Sequence, residues 1–362
     1  MNKREISLGT ILGVKITIDI SWFWLLAVVI WSFFITNQVV APFQSTLFYF
    51  LIAILQAIVF FGSVILHELG HSYIALKNNI PVQKITLFLF GGVSSIVKEP
   101  STPRVELVMS FAGPLMSLAV GLLFIGISSI MGSDNFFGVL IFGFLGYINI
   151  FLAVFNLLPG FPLDGGRILR SFIWTKTKNI DIATRFATNF GQIIGWLLIL
   201  LGIFELVFLF SLGGLWLVII GFYIFQSAKA SYRQFKLIQI LELSKVEAYF
   251  ESEPLVVAGD EITTEVLRKM ILAHAKVAFV KENDILKGLF YLTNKNTDVL
   301  APIRQNTKDI KKMQPISLDD NISKALESIA YSNYPAIPVT DNQGKIVGAI
   351  TIEDIDLVLK VN

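Results

Sequence analysis

Residues Ile58–Asn79 read IVFFGSVILHELGHSYIALKNN. The stretch begins as a lipid-compatible helix and ends on two histidines and a glutamate. Ionisable groups inside an apolar span are costly and mark function. The chain has three histidines in all, and this one stretch holds His67 and His71.

The surrounding composition fits a membrane setting. Of 362 residues, 54% are hydrophobic and 15% charged, against about 45–50% and about 25% in ordinary soluble proteins. The excess lies between Ile20 and Phe225, and the chain after Lys229 has ordinary soluble composition. A transmembrane domain over 1–230, a linker over 231–243 and a soluble tail are therefore expected. A net charge of +2 with no Lys/Arg block excludes a nucleic-acid surface, and zero cysteines exclude disulfides and thiolate metal sites.

Hydropathy gives six spans, near 20–36, 47–77, 105–131, 136–158, 186–210 and 212–228. The first, with its long aromatic run SWFWLLAVVIWSFFI, reads as a span and not as a cleaved signal. Lysines and arginines sit before the first span, between the second and third, between the fourth and fifth, and after the sixth. The alternate loops have none. The positive-inside rule then places both termini and the tail in the cytoplasm of a multi-pass cell-membrane protein. Two short β-hairpins are expected at that side: GTILGVKITI (Gly9–Ile18), and VQKITLFLFGGVSSIV (Val82–Val97) around a Gly91–Gly92 turn.

HELGH spans His67, Glu68, Leu69, Gly70 and His71. Positions i and i+4 share a helix face, so both imidazoles can aim at one Zn2+, with Glu68 placed to take a proton from a water on it. A catalytic zinc wants three protein ligands. The remaining histidine, His274, lies in the tail, so a carboxylate is expected. Asp164 in NLLPGFPLDGGR (Asn156–Arg167) is the candidate, following helix-breaking Pro159, Gly160 and Pro162, with Gly165 and Gly166 to turn the backbone.

HELGH paired with NLLPGFPLDGGR resembles the site-2 protease family, the zinc intramembrane metalloproteases. The resemblance implies hydrolysis of a peptide bond in or near a transmembrane segment of a membrane-protein substrate. It also implies one zinc per chain on His67, His71 and Asp164, Glu68 as catalytic base, and Asn156 as a residue that helps hold substrate or intermediate. No loop is long enough for a PDZ domain; the arrangement resembles the branch with a C-terminal pair of cystathionine-β-synthase (CBS) domains.

The tail supports that branch. HAKVAFVKENDILKGLFYLTN (His274–Asn294) repeats in NYPAIPVTDNQGKIVGAITIED (Asn333–Asp354), giving repeats over 244–298 and 299–362 with a strand–helix–strand–strand–helix order. GAITIED resembles the CBS nucleotide motif, which implies that Thr351 and Asp354 contact the phosphate and ribose of ATP, ADP or AMP. The first repeat departs from it, with Tyr291 and Asn294 at those positions. A pairing or homo-oligomerisation role for the tail stays open.

The expected fold is thus a polytopic α-helical membrane protein with about six spans and short β-hairpins, plus an α/β CBS pair. An unwound substrate is expected to add as a strand at Gly91 and Gly92. The alternative is a CBS-gated transporter or channel for metal ions. It fits less well, because the outer halves of the spans lack the polar path that transport needs. Glu205 is expected to snorkel to the outer interface, and Asn149 either bonds between helices or faces the site.

Overall fold

The computed structural model describes residues 5–40, 44–88, 91–96, 100–132, 135–211, 213–252, 254–283, 285–291, 298–332 and 334–361. The chain divides into two units, Met1–Tyr232 and Arg233–Asn362.

The first unit opens with strands β1 (Glu5–Ile11) and β2 (Val14–Asp19), then helices α1 (Trp22–Val40) and α2 (Thr46–Lys77). Strands β3 (Val82–Phe88) and β4 (Gly91–Ile96) lead into α3 (Pro103–Met131). A π-helical segment, Gly138–Gly143, runs into α4 (Phe144–Asn156). Then come α5 (Asp164–Thr177), α6 (Ile180–Phe208) and α7 (Gly213–Leu243). Among the described residues, six helical segments are long and apolar enough to cross a membrane: α1, α2, α3, the π-helix with α4, α6 and α7. Helices suit this setting because every backbone group is satisfied within the segment. Their starts are set locally. The Ser45 hydroxyl accepts from Phe48 N–H at α2, Thr102 caps α3 ahead of Pro103, and Asn179 accepts from Asp181 and Ile182 N–H at α6.

The two expected hairpins form, but they merge. β2 pairs in parallel with β3, giving one four-stranded sheet in the order β1-β2-β3-β4. Gly91 and Gly92 are not the turn. They begin β4, opposite Phe88 and Leu87; residues 89–90 lie outside the described residues. Residues 231–243, read as a linker, continue α7 as helix. α5 was not expected, since its 14 residues are too short and too polar to register as a span.

Two further polar residues within the spans have these surroundings. Asn149, fully buried, donates from Nδ2 to Leu145 O of its own helix at 2.8 Å. Glu205, in the last turns of α6, has its carboxylate beside the start of α7: a methyl on Gly213 would stand 3.5 Å from its Oε2. There a carboxylate complements the positive end of the helix dipole.

The second unit holds β5 (Leu255–Ala258), α8 (Thr263–Leu272), β6 (Val277–Glu282), β7 (Ile285–Tyr291) and β8 (Lys308–Asp309). It continues with β9 (Ile316–Ser317), α9 (Ile322–Ser332), β10 (Ala336–Thr340), β11 (Ile346–Thr351) and α10 (Ile352–Val361). The sheets run β5-β6-β7-β8 and β11-β10-β9. They pack together through Val277, Phe279 and Leu289 of one and Ala336 and Ala349 of the other. Both sheets follow a strand–helix–strand–strand order, β5-α8-β6-β7 and β9-α9-β10-β11. β8 belongs to the first sheet although it lies past the expected boundary at 298. Asn294, aligned with Asp354 in the repeat, lies outside the described residues.

Candidate active site

The site is built where α2, α3 and α5 meet. His67 and His71 lie one turn apart on α2, both buried, with ring centroids 4.9 Å apart. Their Nε2 atoms are 3.3 Å apart, and each is 3.2 Å from Asp164 Oδ2. Among the described residues, these three form the one group of metal-capable side chains with ligand atoms gathered together.

That triangle fits a metal. Tetrahedral zinc with Zn–N and Zn–O bonds of about 2.0–2.1 Å spaces its ligand atoms about 3.3–3.4 Å apart, close to the observed edges. The ring orientations agree. His71 Nδ1 lies 2.8 Å from Met109 O, a carbonyl that can only accept, so Nδ1 donates and a neutral ring presents a lone pair at Nε2. His67 Nδ1 is 2.9 Å from Ser117 Oγ. Both outer contacts come from α3, and such partners fix ring orientation in metal sites.

Glycine makes this approach possible. A methyl on Gly113 would stand 2.7 Å from His67 Nε2 and 2.5 Å from His71 Cε1, so the helix wall is bare where the ligand atoms converge. A methyl on Gly70 would meet Ala112 O at 2.8 Å, so α2 and α3 touch backbone to backbone at this level.

Asp164 is the first residue of α5. Gly165 and Gly166 follow it inside the helix; neither has a positive φ, so they do not turn the backbone as expected. They permit close packing. Side chains there would strike the backbones of Leu157–Leu158 and Gly160–Phe161. Phe161 N–H in turn donates to Ala187 O at 3.1 Å, tying the segment to α6.

A second polar cluster braces α5 from below. Arg170, on α5, donates from Nε to Glu106 Oε1 of α3 at 2.6 Å, and a second guanidinium nitrogen meets the same oxygen. The two side chains are 4% and 0% exposed. Arg170 also lies over the Phe161 ring, 5.2 Å from its centroid. Sequence reading missed this pair, as it missed Ser117, Met109 O and Gly113.

The other expected residues are placed as follows. Glu68 is half-buried on α2 beside His67. A methyl on Gly92 of β4 would stand 2.8 Å from Glu68 Cγ, so the edge strand passes directly against it. Asn156 ends α4, and its amide donates to Leu152 O of its own helix at 3.0 Å. His274, in the second unit, is not in the cluster. In that unit Thr351 and Asp354 are buried together: Thr351 donates to Asp354 Oδ2 from N at 2.9 Å and from Oγ1 at 2.7 Å, while the Lys276 ammonium takes Oδ1. Tyr291 donates from its hydroxyl to Glu353 at 3.0 Å and from N–H to the Tyr334 hydroxyl at 2.9 Å. Burial, with Glu353 alongside, pushes the Tyr291 hydroxyl up to about 12.

Two imidazoles and a carboxylate on one point, with a glutamate next to one of them, form a donor set of the kind that metal-dependent hydrolases use. Comparison with known proteins agrees. The profile of Peptidase family M50 matches residues 55–138 and 138–202, and that of the CBS domain matches 308–360. A provisionally named zinc metalloprotease of Synechocystis sp. is 37% identical over 262 residues, 71% of this chain and 67% of that protein. A zinc metalloprotease of Methanocaldococcus jannaschii is 29% identical over 358 residues, 97% of this chain and 95% of that one. The solved site-2 protease from M. jannaschii matches 63% of this chain and 95% of its own at 31% identity, with a TM-score of 0.47.

The chain belongs to peptidase family M50, the site-2 proteases. It is a multi-pass membrane zinc metalloprotease with a C-terminal CBS domain, and a protease so embedded acts on membrane substrates.

Proposed function

We propose that this protease cuts a peptide bond within or beside a transmembrane segment of its substrate, using His67, His71 and Asp164 to hold one zinc and Glu68 as general base. The near-equilateral triangle of ligand atoms, with Glu68 adjacent, carries the reading. Zinc, when bound, supplies Lewis-acid polarisation of the scissile carbonyl and a water acidic enough to ionise near neutral pH. Glu68 accepts that water's proton on a carboxylate oxygen and returns it to the departing amine nitrogen. Asn156 holds the substrate by rotating its amide away from Leu152 O.

β4 is an edge strand, and Gly92 lets it run against Glu68. An unwound substrate segment that pairs with this edge gains main-chain hydrogen bonds for those lost from its helix, and its carbonyls come beside the base. Both termini and the tail face the cytoplasm, as the Lys/Arg distribution favours.

In the tail, Asp354 and Thr351 bind an adenine nucleotide in exchange for Lys276, and Tyr291 leaves the first repeat without an equivalent site. Such binding regulates cleavage only if the nucleotide favours one arrangement of the protein over another. The tail pairs chains into a homo-oligomer.

Glu68→Gln tests the chemistry. The amide cannot take up the proton, while the ligands are untouched. Purified Glu68→Gln should keep wild-type zinc content and lose cleavage of a membrane substrate; normal cleavage would refute the assignment. Calorimetry of the full chain with ATP, ADP and AMP tests the tail: heat with at least one nucleotide, abolished by Asp354→Ala, is expected.

A further inference from the structure

The β1–β4 sheet has two unlike faces. Directly paired residues share a face, and successive residues along a strand point to opposite faces. On one face Ile6 stands opposite Ile18, Gly9 opposite Ile16 and Ile11 opposite Val14, and β3 adds Ile85 and Leu87. On the other Glu5 stands opposite Asp19, Ser7 opposite Thr17 and Thr10 opposite Lys15, and β3 adds Lys84 and Thr86. Lys84 Nζ bonds Glu5 Oε1 at 2.7 Å across that polar face.

Helices cover the apolar face only in part. Val14, Val82 and Ile85 pack with Leu69 and Met109, and Ile18 and Leu87 pack with Trp22 and Phe61. Over β1 the cover ends. Ile6 and Ile11 are 49% and 46% exposed, Leu8 in the β-bulge 56%, and Leu12 at the turn 61%. Leu12 also holds a left-handed backbone, φ 53°, a conformation unfavourable for leucine and easy for the glycine or asparagine usual in hairpin turns. An exposed, strained leucine at a tip gains nothing from water.

The exposed surface continues along the chain through Ile20 into α1, a helix apolar enough to span a membrane, whose first turn leaves Phe23 46% and Trp24 74% exposed. We infer that β1 and the β1–β2 turn rest on the bilayer, with Ile6, Leu8, Ile11 and Leu12 in the boundary between headgroups and acyl chains and the Glu5–Lys84 face in water. A sheet so placed behaves as interfacial amphipathic elements do, which bury their apolar face about 5–10 Å into that boundary. The occupant is lipid, because the overhang is an extension of a surface that already faces lipid. This holds whatever the β4 edge binds.

The chain has no cysteine, so single labels are clean. Ile6→Cys and Leu12→Cys, against Ser7→Cys and Thr10→Cys from the polar face, would each carry an environment-sensitive fluorophore on the full chain in phosphatidylcholine–phosphatidylglycerol vesicles. Wild-type zinc content in all four establishes that they are folded. Labels at 6 and 12 should emit at shorter wavelength and be quenched by lipids with a nitroxide near the top of the acyl chain. Labels at 7 and 10 should emit as in water and be quenched by aqueous iodide. Equal behaviour at all four positions overturns the inference. So does a blue shift at 6 and 12 without nitroxide quenching, which would put protein, such as a second copy of the chain, over this face.

Discussion

Two buried clusters of ionisable side chains anchor α5, one to α3 and one to α2, and they are built on opposite logic. In Glu106–Arg170 a carboxylate meets a guanidinium: two donors face one acceptor oxygen, and opposite charges offset each other. In His67–His71–Asp164 three ligand atoms crowd within 3.3 Å of one another, and His71 has already committed its donor to Met109 O. The first cluster is a finished strut. The second is a socket, stable when something positive fills it. Burial alone therefore does not mark a functional site. What marks it is burial of groups that cannot complete one another.

The comparison breaks most visibly at Gly113. Gly113→Ala puts a methyl into the two imidazoles, so the rings must swing off their common point. Zinc per chain, measured by atomic spectroscopy, should fall towards zero and cleavage with it, while overpacking costs the fold about 1–3 kcal/mol. Full zinc occupancy would mean the socket is wider than its geometry indicates.

The strut should respond the other way. Glu106→Ala leaves a buried guanidinium without its carboxylate, a loss of about 3–5 kcal/mol in unfolding free energy, read by denaturation in detergent, with zinc still bound by the folded fraction. Replacing both partners by apolar residues of similar volume, Glu106→Leu with Arg170→Met, should recover most of that loss, as replaced buried pairs commonly do. Stability unchanged by Glu106→Ala, with zinc lost, would move the pair into the socket.

The smallest effect sharpens the comparison. Ser117→Ala removes the partner of His67 Nδ1 and leaves all three ligands. Loss of such an outer contact weakens metal binding about 10–100-fold, measurable by competition with a chelator. Thermal stability of the zinc-free protein should change little.

The socket was legible in the sequence and the strut was not. HELGH announces itself because i, i+4 spacing is a local rule, and Asp164 followed from the shortage of histidines. Glu106 and Arg170 lie 64 residues apart, and nothing local says which faces of α3 and α5 meet. Ser117 is a serine in an apolar span, like several others in the chain, until α2 is laid against α3. The sheet failed at the same step. Each hairpin could be read from its own residues, but the parallel β2–β3 pairing depends on how α1 and α2 bring the strands together. Gly91–Gly92 misled because glycine pairs suggest turns, whereas Gly92 is small to make room for Glu68. α7 runs on through the expected linker because its residues there keep good helix formers after the apolar run ends.

The far end of α2 bears on another requirement. Gln56 exchanges amide hydrogen bonds with Asn37 of α1, at 2.8 and 3.2 Å, and donates to Leu140 O of the π-helix at 2.8 Å. Around them Phe33 packs edge-on against Phe60 and Phe144. Gln56 and His67 are eleven residues apart on one helix, about 16 Å at 1.5 Å per residue. The polar pair at the far end consists of neutral amides, which neither take up nor release protons near neutral pH. Hydrolysis needs water deep in the protein, yet a living membrane holds a voltage worth about 2.3 kcal/mol per charge at 100 mV. A layer of neutral amides and phenyl rings between that end of α2 and the site offers no titratable group on which a proton could step across.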